Sequence, residues 1–319
     1  MSMTTRRPKL LVTRNLPASV LARADEAFEL SVWERDEPIG QRLLDRAPGH
    51  DALLVMANDR IDRRLLETCL PALRAVATYS AGTDHIDMAC AGELGIPVFT
   101  TPDVLSDAVA EVALYLVLAA MRRTRRAEHA LRTGEWGPWS PAFMVGTQLT
   151  GRRFGIYGMG AIGRAIGKRA AAFGVQLRYF NRRRLPCAME SGATYCESLD
   201  ELLASSDILC VVAPSTAQTR GSLDRRRLAL LPRGAVFVNI ARGDLVDEDA
   251  LFDLLASGHL ANVGLDVFRG EPHIDPRWLV HTQAALLPHI GSATGQARLA
   301  MGMSALSSLE RHFETAISR

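Results

Sequence analysis

The pattern of apolar and polar positions changes regularly along the first hundred residues. Short apolar runs predict strands, and they lie at residues 10–12, 52–56, 73–78 and 97–99. The stretches between them, such as residues 18–28 and 60–69, have helical spacing. Strands that alternate with helices favour a parallel sheet with helices packed on its faces.

A second series of the same kind begins after Gly151. Apolar runs predict strands at residues 153–157, 176–180, 208–213, 235–239, 261–265 and 284–287, and helical spacing predicts helices at 161–173, 199–204 and 248–256. The sequence therefore predicts an α/β protein with doubly wound parallel sheets.

The segment that separates the two series predicts a buried helix. Residues 103–121 are apolar on nearly every side, which is typical of a helix packed on most of its surface. The basic run Arg122–Arg126 predicts the end of that helix, because positive charge suits a helix C-terminus. Residues 134–146, with two prolines and two tryptophans, predict irregular structure, and residues 295–317 predict a last amphipathic helix.

A glycine-rich loop joins the first strand of the second series to its helix. Gly158, Gly160 and Gly163 form the pattern G-x-G-x-x-G in the strand–turn–helix context that dinucleotide binding requires. Gly158 permits the tight turn, Gly160 lets the backbone approach a pyrophosphate, and Gly163 lets helix and strand pack closely. The helix N-terminus would then meet the phosphate charge with free N–H groups.

The end of the next strand bears on the choice of dinucleotide. An NAD-specific site usually has an acidic residue there to hold the ribose 2′-hydroxyl, whereas this chain has Asn181 followed by Arg182, Arg183 and Arg184. Arginines would bind a 2′-phosphate that a carboxylate would repel. The alternative is a solvated basic turn. We expect NADP(H), with NAD(H) possible.

Three later strands are each followed by candidate catalytic residues. Arg242 follows the strand at 235–239, Asp266 and Glu271 follow the strand at 261–265, and His289 follows the strand at 284–287. Ligands of open α/β sheets bind at the carboxyl ends of strands. An arginine can bind a substrate carboxylate, a histidine can give a proton to the carbonyl oxygen, and a carboxylate can orient the imidazole and favour its protonated form. These are the groups needed to reduce a 2-oxo acid.

Six segments of the sequence match the motifs of a known family: residues 80–87, 101–111, 158–163, 239–248, 264–272 and 288–294. Through these segments the chain resembles the D-isomer-specific 2-hydroxyacid dehydrogenases. It implies a cofactor domain at 102–289 that is inserted into a flavodoxin-like substrate domain formed by 1–101 and 290–319, with closure by a hinge and dimers formed through the cofactor domains.

The resemblance also implies the site residues. The catalytic set is Arg242, Glu271 and His289, and the substrate carboxylate is held by the backbone amides of Ser80, Ala81 and Gly82. Further cofactor contacts are implied for Ala161, Ile162, Ala213, Pro214, Ile240, Ala241, Asp266, Gly291 and Ser292, with Asp266 facing the carboxamide.

Among the branches of this family, the basic turn and the ending at residues 289–294 resemble the NADPH-dependent glyoxylate and hydroxypyruvate reductases. Trp136 and Trp139 resemble the same branch, where an arm reaches the neighbouring active site, although they could equally pack a dimer contact. We therefore expect reduction of a small 2-oxo acid to the D-2-hydroxy acid. The alternatives are an NAD-dependent dehydrogenase for bulkier or phosphorylated acids and a dinucleotide-sensing, corepressor-like binding protein.

Composition excludes several other classes. Across 319 residues the apolar fraction is 48% and the charged fraction 23%, which are values of a globular protein. A net charge of +2 argues against a nucleic-acid-binding protein, and no apolar run is long enough for a membrane span. Residues 1–9 are polar, so we expect a cytoplasmic protein. The five cysteines have no metal-site spacing, and we expect no metal.

Overall fold

The chain divides into two compact units, one inserted into the other. The computed structural model describes residues 6–35 and 37–317, so the first five residues of the predicted polar N-terminus lie outside it. One unit comprises Met1–Leu105 and Ala293–Arg319, and the other comprises Ser106–Ser292. The boundaries that we expected, after residues 101 and 289, lie a few residues before the observed ones.

The first unit is built on a five-stranded parallel sheet. Its elements up to residue 99 are β1 (Lys9–Val12), α1 (Ala18–Ala27), β2 (Glu29–Val32), α2 (Leu43–Arg46), β3 (Ala52–Val55), α3 (Arg63–Thr68), β4 (Ala75–Thr78), α4 (Met88–Glu93) and β5 (Val98–Phe99). The strand order is β2-β1-β3-β4-β5, the flavodoxin-like order. Every residue of β3 and β4 is buried, because helices cover both faces of a parallel sheet.

The apolar pattern missed β2. Among the described strands it pairs with β1 alone, at the edge of the sheet, and its residues alternate between exposed and half-buried positions. An edge strand of this kind has no continuous apolar run, so a search for buried strands does not detect it.

The second unit contains a seven-stranded parallel sheet. Its elements are α5 (Ser106–Met121), α6 (Thr124–Arg132), β6 (Arg153–Tyr157), α7 (Ala161–Ala171), β7 (Gln176–Phe180), α8 (Cys187–Glu190), β8 (Thr194–Tyr195), α9 (Leu199–Ala204), β9 (Ile208–Val211), α10 (Arg225–Leu228), β10 (Ala235–Asn239), α11 (Glu248–Ala256), β11 (Leu260–Leu265), α12 (Pro276–Val280) and β12 (Ala284–Leu286). The order β12-β11-β10-β9-β6-β7-β8 places β6 between β9 and β7. The strand order reverses there, which is the point where doubly wound sheets bind dinucleotides.

The long helix before this sheet differs from the prediction at both ends. It begins at Ser106 rather than at residue 103, because Asp103 adopts a left-handed conformation with φ of 69°. Arg123 also has a positive φ, 53°, and interrupts the helix. Arg125 and Arg126 therefore belong to the separate helix α6 instead of ending α5.

The last helix, α13 (Gly295–Ile317), returns to the first unit. It packs on β4 and α1, where an added Cβ on Gly302 would lie 2.7 Å from the Val20 side chain. The expected class, two α/β domains with parallel sheets, is confirmed. Within the described residues, no helix is both long and apolar enough to cross a membrane.

Candidate active site

The glycine loop between β6 and α7 has the geometry of an anion-binding turn. Gly158 has a φ of 103°, and an added Cβ would lie 2.6 Å from the Ala213 nitrogen. An added Cβ on Gly163 would lie 2.3 Å from the Gly158 oxygen, whereas one on Gly160 would meet no atom within 4 Å. Gly158 and Gly163 are therefore required by packing, and Gly160 faces open space that a phosphate group could fill.

The first turn of α7 is available to such a group. Among the described residues no side chain caps this helix, so the amides of Ala161, Ile162 and Gly163 remain free to meet an anion. The residues present thus fit the pyrophosphate of a dinucleotide.

The turn after β7 lies beside this loop. Asn181 accepts a hydrogen bond from the Met159 amide at 2.7 Å, which ties the turn to the glycine loop. Arg182 and Arg183 are exposed and, within the described residues, form no hydrogen bond or ion pair. Arg184 differs from them, because its guanidinium pairs with Glu190 at 2.8 Å. Two of the three arginines are therefore free for a ligand.

The loop after β10 carries Arg242, and neighbouring groups fix its backbone. The buried Asn239 side chain donates to the Arg242 oxygen at 2.9 Å and accepts from the Ala241 amide at 3.0 Å. An added Cβ on Gly243 would lie 2.0 Å from the Phe268 carbonyl carbon, so only glycine allows this approach. The close approach brings the Arg242 loop against the loop that carries Glu271.

Glu271 and His289, two of the predicted catalytic residues, are in direct contact. Glu271 Oε2 lies 2.7 Å from His289 Nδ1, and Glu271 Oε1 accepts from the Phe268 amide at 2.6 Å. Burial raises the pKa of Glu271, but hydrogen bonds from His289 and Phe268 and the charges of His289 and Arg242 outweigh it, so the pKa lies below the ordinary 4.5. An ionised carboxylate only accepts, so Nδ1 carries a proton and Nε2 is left for a substrate.

The backbone of His289 adopts a left-handed conformation with φ of 53°, and Asp266 holds it there. The Asp266 carbonyl accepts from the His289 amide at 2.8 Å, and its carboxylate accepts from the Ile290 and Gly291 amides, both at 2.8 Å. Burial raises the pKa of Asp266, and the two amides act against this effect. A non-glycine residue at positive φ costs about 1–3 kcal/mol, which the three hydrogen bonds offset.

Sequence reasoning assigned no role to Glu248, which supports the same site. Its carboxylate is buried and accepts from the Arg269 amide at 2.7 Å and from the Trp278 indole at 3.2 Å. Glu248 and Glu271 thus hold successive amides, those of Arg269 and Phe268, in one loop. No local pattern in the sequence marks Glu248 for this role, because the Arg269 amide lies 21 residues further along the chain.

The remaining predicted residues fall into two groups. Those of the second unit lie at strand ends of the same sheet: buried Ala213 and exposed Pro214 after β9, buried Ile240 and Ala241 after β10, and Gly291 and Ser292 beyond β12. Ser80, Ala81 and Gly82 follow β4 in the first unit, where the Ser80 hydroxyl donates to the Gly82 oxygen at 2.7 Å. Among the described residues, no group of His, Cys, Asp and Glu could hold a metal ion.

Comparisons with known proteins place this chain in one family. The family described as "D-isomer specific 2-hydroxyacid dehydrogenase, NAD binding domain" matches residues 114–291. A glyoxylate reductase from Thermococcus kodakarensis is 39% identical over 300 residues, 92% of this chain and 90% of that one. A glycerate dehydrogenase from Hyphomicrobium methylovorum is 38% identical over 293 residues, 91% of each chain.

The fold of this chain superposes on solved structures along nearly its whole length. A Polaromonas protein assigned to the D-isomer-specific 2-hydroxyacid dehydrogenases superposes with a TM-score of 0.89 at 45% identity, covering 97% of both chains. An NADPH-dependent glyoxylate/hydroxypyruvate reductase from Sinorhizobium meliloti, solved with NADP and malonate, gives 0.84 at 34% identity and covers 97% of this chain and 94% of that one.

Proposed function

The chain belongs to the D-isomer-specific 2-hydroxyacid dehydrogenases, which makes it an NAD(P)-dependent oxidoreductase, and we propose that it reduces a small 2-oxo acid with NADPH. The acid is of the glyoxylate or hydroxypyruvate type, and the product is the D-2-hydroxy acid. The observation that carries this proposal is the 2.7 Å contact between His289 and Glu271 beside the Arg242 loop.

Each catalytic residue has one role in the proposed reaction. Arg242 binds the substrate carboxylate, because a guanidinium forms charged hydrogen bonds worth about 1.5–3 kcal/mol each. His289 Nε2 gives its proton to the carbonyl oxygen, a step that contributes about 10²–10⁴-fold. Glu271 fixes the ring through Nδ1 and stabilises the imidazolium. The bound cofactor supplies the hydride that reduces the carbonyl carbon.

The backbone amides of Ser80, Ala81 and Gly82 are proposed as further donors to the substrate carboxylate. Three features support them. They follow a buried strand, the Ser80 side chain fixes the turn through its bond to Gly82, and the Thr78 hydroxyl lies 2.7 Å from the Ser80 hydroxyl. Backbone donors bind a carboxylate without distinguishing the group on the substrate's far side.

The preference for NADPH rests on the turn after β7. The position where a carboxylate would hold the ribose 2′-hydroxyl is occupied by Asn181, whose side chain binds the glycine loop instead. Arg182 and Arg183 are exposed at the same turn, and we propose that they bind the 2′-phosphate. The remaining predicted contacts, including Asp266 with the carboxamide, belong to the same proposed cofactor site.

We propose a homodimer formed through the second unit. Its surface exposes several large apolar side chains, and exposed apolar surface is typical of protein–protein interaction sites. Trp136 is 66% exposed, Trp139 is 86% exposed and Val280 is 78% exposed. Trp136 and Trp139 lie in the irregular segment that we expect to contact the partner subunit.

A matrix of cofactors and substrates tests the proposed function. Oxidation of NADPH or NADH is followed with glyoxylate, hydroxypyruvate, pyruvate, phenylpyruvate and 2-ketogluconate. We expect the highest kcat/KM with NADPH and either glyoxylate or hydroxypyruvate. A higher value with NADH would overturn the cofactor assignment and leave the class intact. Tight cofactor binding without turnover of any acid would favour the sensor alternative.

A further inference from the structure

The third arginine of the turn after β7 is bound to the protein, unlike the two before it. Its guanidinium contacts both oxygens of Glu190: Arg184 Nε donates to Oε1 at 2.8 Å, and Nη2 donates to Oε2 at 3.2 Å. The Glu190 side chain is only 7% exposed. A buried carboxylate with a two-point contact to arginine is a fixed anchor, because each partner restricts the rotation of the other.

The same carboxylate reaches the end of the turn through a tyrosine. The Tyr179 hydroxyl donates to Glu190 Oε1 at 2.7 Å and accepts from the Leu185 amide at 3.1 Å. The hydrogen bond from Arg184, followed by that from Tyr179, lowers the pKa of Glu190. Glu190 is therefore charged at neutral pH and fastens both Arg184 and Leu185.

The start of the turn is fastened separately. Asn181 binds the Met159 amide through its side chain, and its carbonyl accepts from the Tyr195 hydroxyl at 3.2 Å. Only Arg182 and Arg183 lie between the two fastened ends. Within the described residues they have no partner of their own.

We propose that Glu190 is a specificity-determining positioning residue, which fixes the turn so that Arg182 and Arg183 point toward the adenosine 2′-phosphate. This inference rests on the proposed use of NADPH. Nothing in the reaction requires Glu190 to touch the cofactor, because it acts through Arg184, Tyr179 and the backbone of Leu185.

Positioning and simple charge predict opposite results for Glu190→Gln. If only charge mattered, removing a carboxylate and releasing Arg184 would strengthen the binding of a phosphate. If Glu190 positions the turn, its loss lets Arg182 and Arg183 move away, and binding of the phosphate weakens. The sign of the change therefore separates the two explanations.

Calorimetry with 2′,5′-ADP and 5′-AMP measures this effect, since the two ligands differ in the 2′-phosphate. We expect Glu190→Gln to lower the ratio of their affinities about 5- to 10-fold, while binding of 5′-AMP stays within about twofold of wild type. Asp200→Asn is the matched control, because Asp200 also holds arginines, Arg226 at 2.8 Å and Arg227 at 2.9 Å, and these belong to α10 and not to the turn. It should leave the ratio unchanged.

An unchanged or higher ratio in Glu190→Gln overturns the inference. If that variant also loses 5′-AMP binding, Tyr179→Phe decides: a lower ratio supports positioning, and an unchanged ratio overturns it. The wild-type preference between NADPH and NADH tests the proposed function separately, so the two can fail independently.

Discussion

The two ends of the seven-stranded sheet are held in different ways. At the β10–β12 end, Arg242, Glu271 and His289 are fixed by neighbours that bind backbone amides, including Asn239 and Asp266. At the β6–β8 end, Arg182 and Arg183 are exposed on a turn whose two ends alone are fastened. From this comparison we expect that the fixed groups perform the chemistry, and that two exposed cations on a turn fastened at both ends select the cofactor.

The largest expected effect is at the fixed end. His289→Asn should lower kcat by about 10²–10⁴-fold, because the amide cannot give a proton to the carbonyl oxygen. Stopped-flow kinetics with NADPH measure kcat, and calorimetry measures the affinity for NADPH. Turnover near the wild-type rate at neutral pH would refute the assignment of His289.

The next effect separates substrate binding from proton transfer. Arg242→Ala should raise the KM for the 2-oxo acid and lower kcat/KM about 10- to 100-fold, because charged hydrogen bonds to the carboxylate are lost. Steady-state kinetics at saturating NADPH measure both KM and kcat/KM. Arg226→Ala, at an exposed ion pair of the same unit, is the control and should leave both parameters near wild type.

A smaller, pH-dependent effect is expected for Glu271→Gln. Because the pKa of Glu271 is lowered in the folded protein, its contribution to stability is fully present above the ordinary 4.5 and is lost as the pH falls through the folded value. The difference in unfolding free energy between wild type and variant should therefore be constant at neutral pH and shrink in acid. Denaturant unfolding at a series of pH values measures this. A difference that grows toward acid pH would contradict the assigned direction of the shift.

The strand pattern predicted where the candidate catalytic residues of the fixed end lie in the sheet, while their catalytic roles stay a prediction. Arg242, Glu271 and His289 each follow a buried strand, so the strand pattern and the rule that ligands bind at carboxyl ends were sufficient to group them. The sequence also predicted the close backbone packing of the glycine loop. The structure confirms it at Gly158 and Gly163, where an added Cβ would clash with backbone atoms.

The supporting residues could not be predicted from the sequence in the same way. Glu190 lies beyond the turn that it anchors, and Glu248 lies 21 residues before the amide that it holds. Their contacts depend on how loops fold back in three dimensions, and no local pattern encodes that. The left-handed conformation of His289 could not be predicted from the sequence either, because most histidines do not adopt it, whereas glycine adopts it readily.

The most direct test of the account compares the two ends in one experiment. The dissociation constant of NADPH and the turnover number are measured for His289→Asn and for the double variant Arg182→Ala/Arg183→Ala. We predict that the first variant loses turnover and keeps NADPH binding, while the second weakens NADPH binding about 10-fold or more and keeps turnover at saturating cofactor. Loss of both properties in either variant, or equal loss of NADPH and NADH in the second, would contradict the separation of catalysis from cofactor selection.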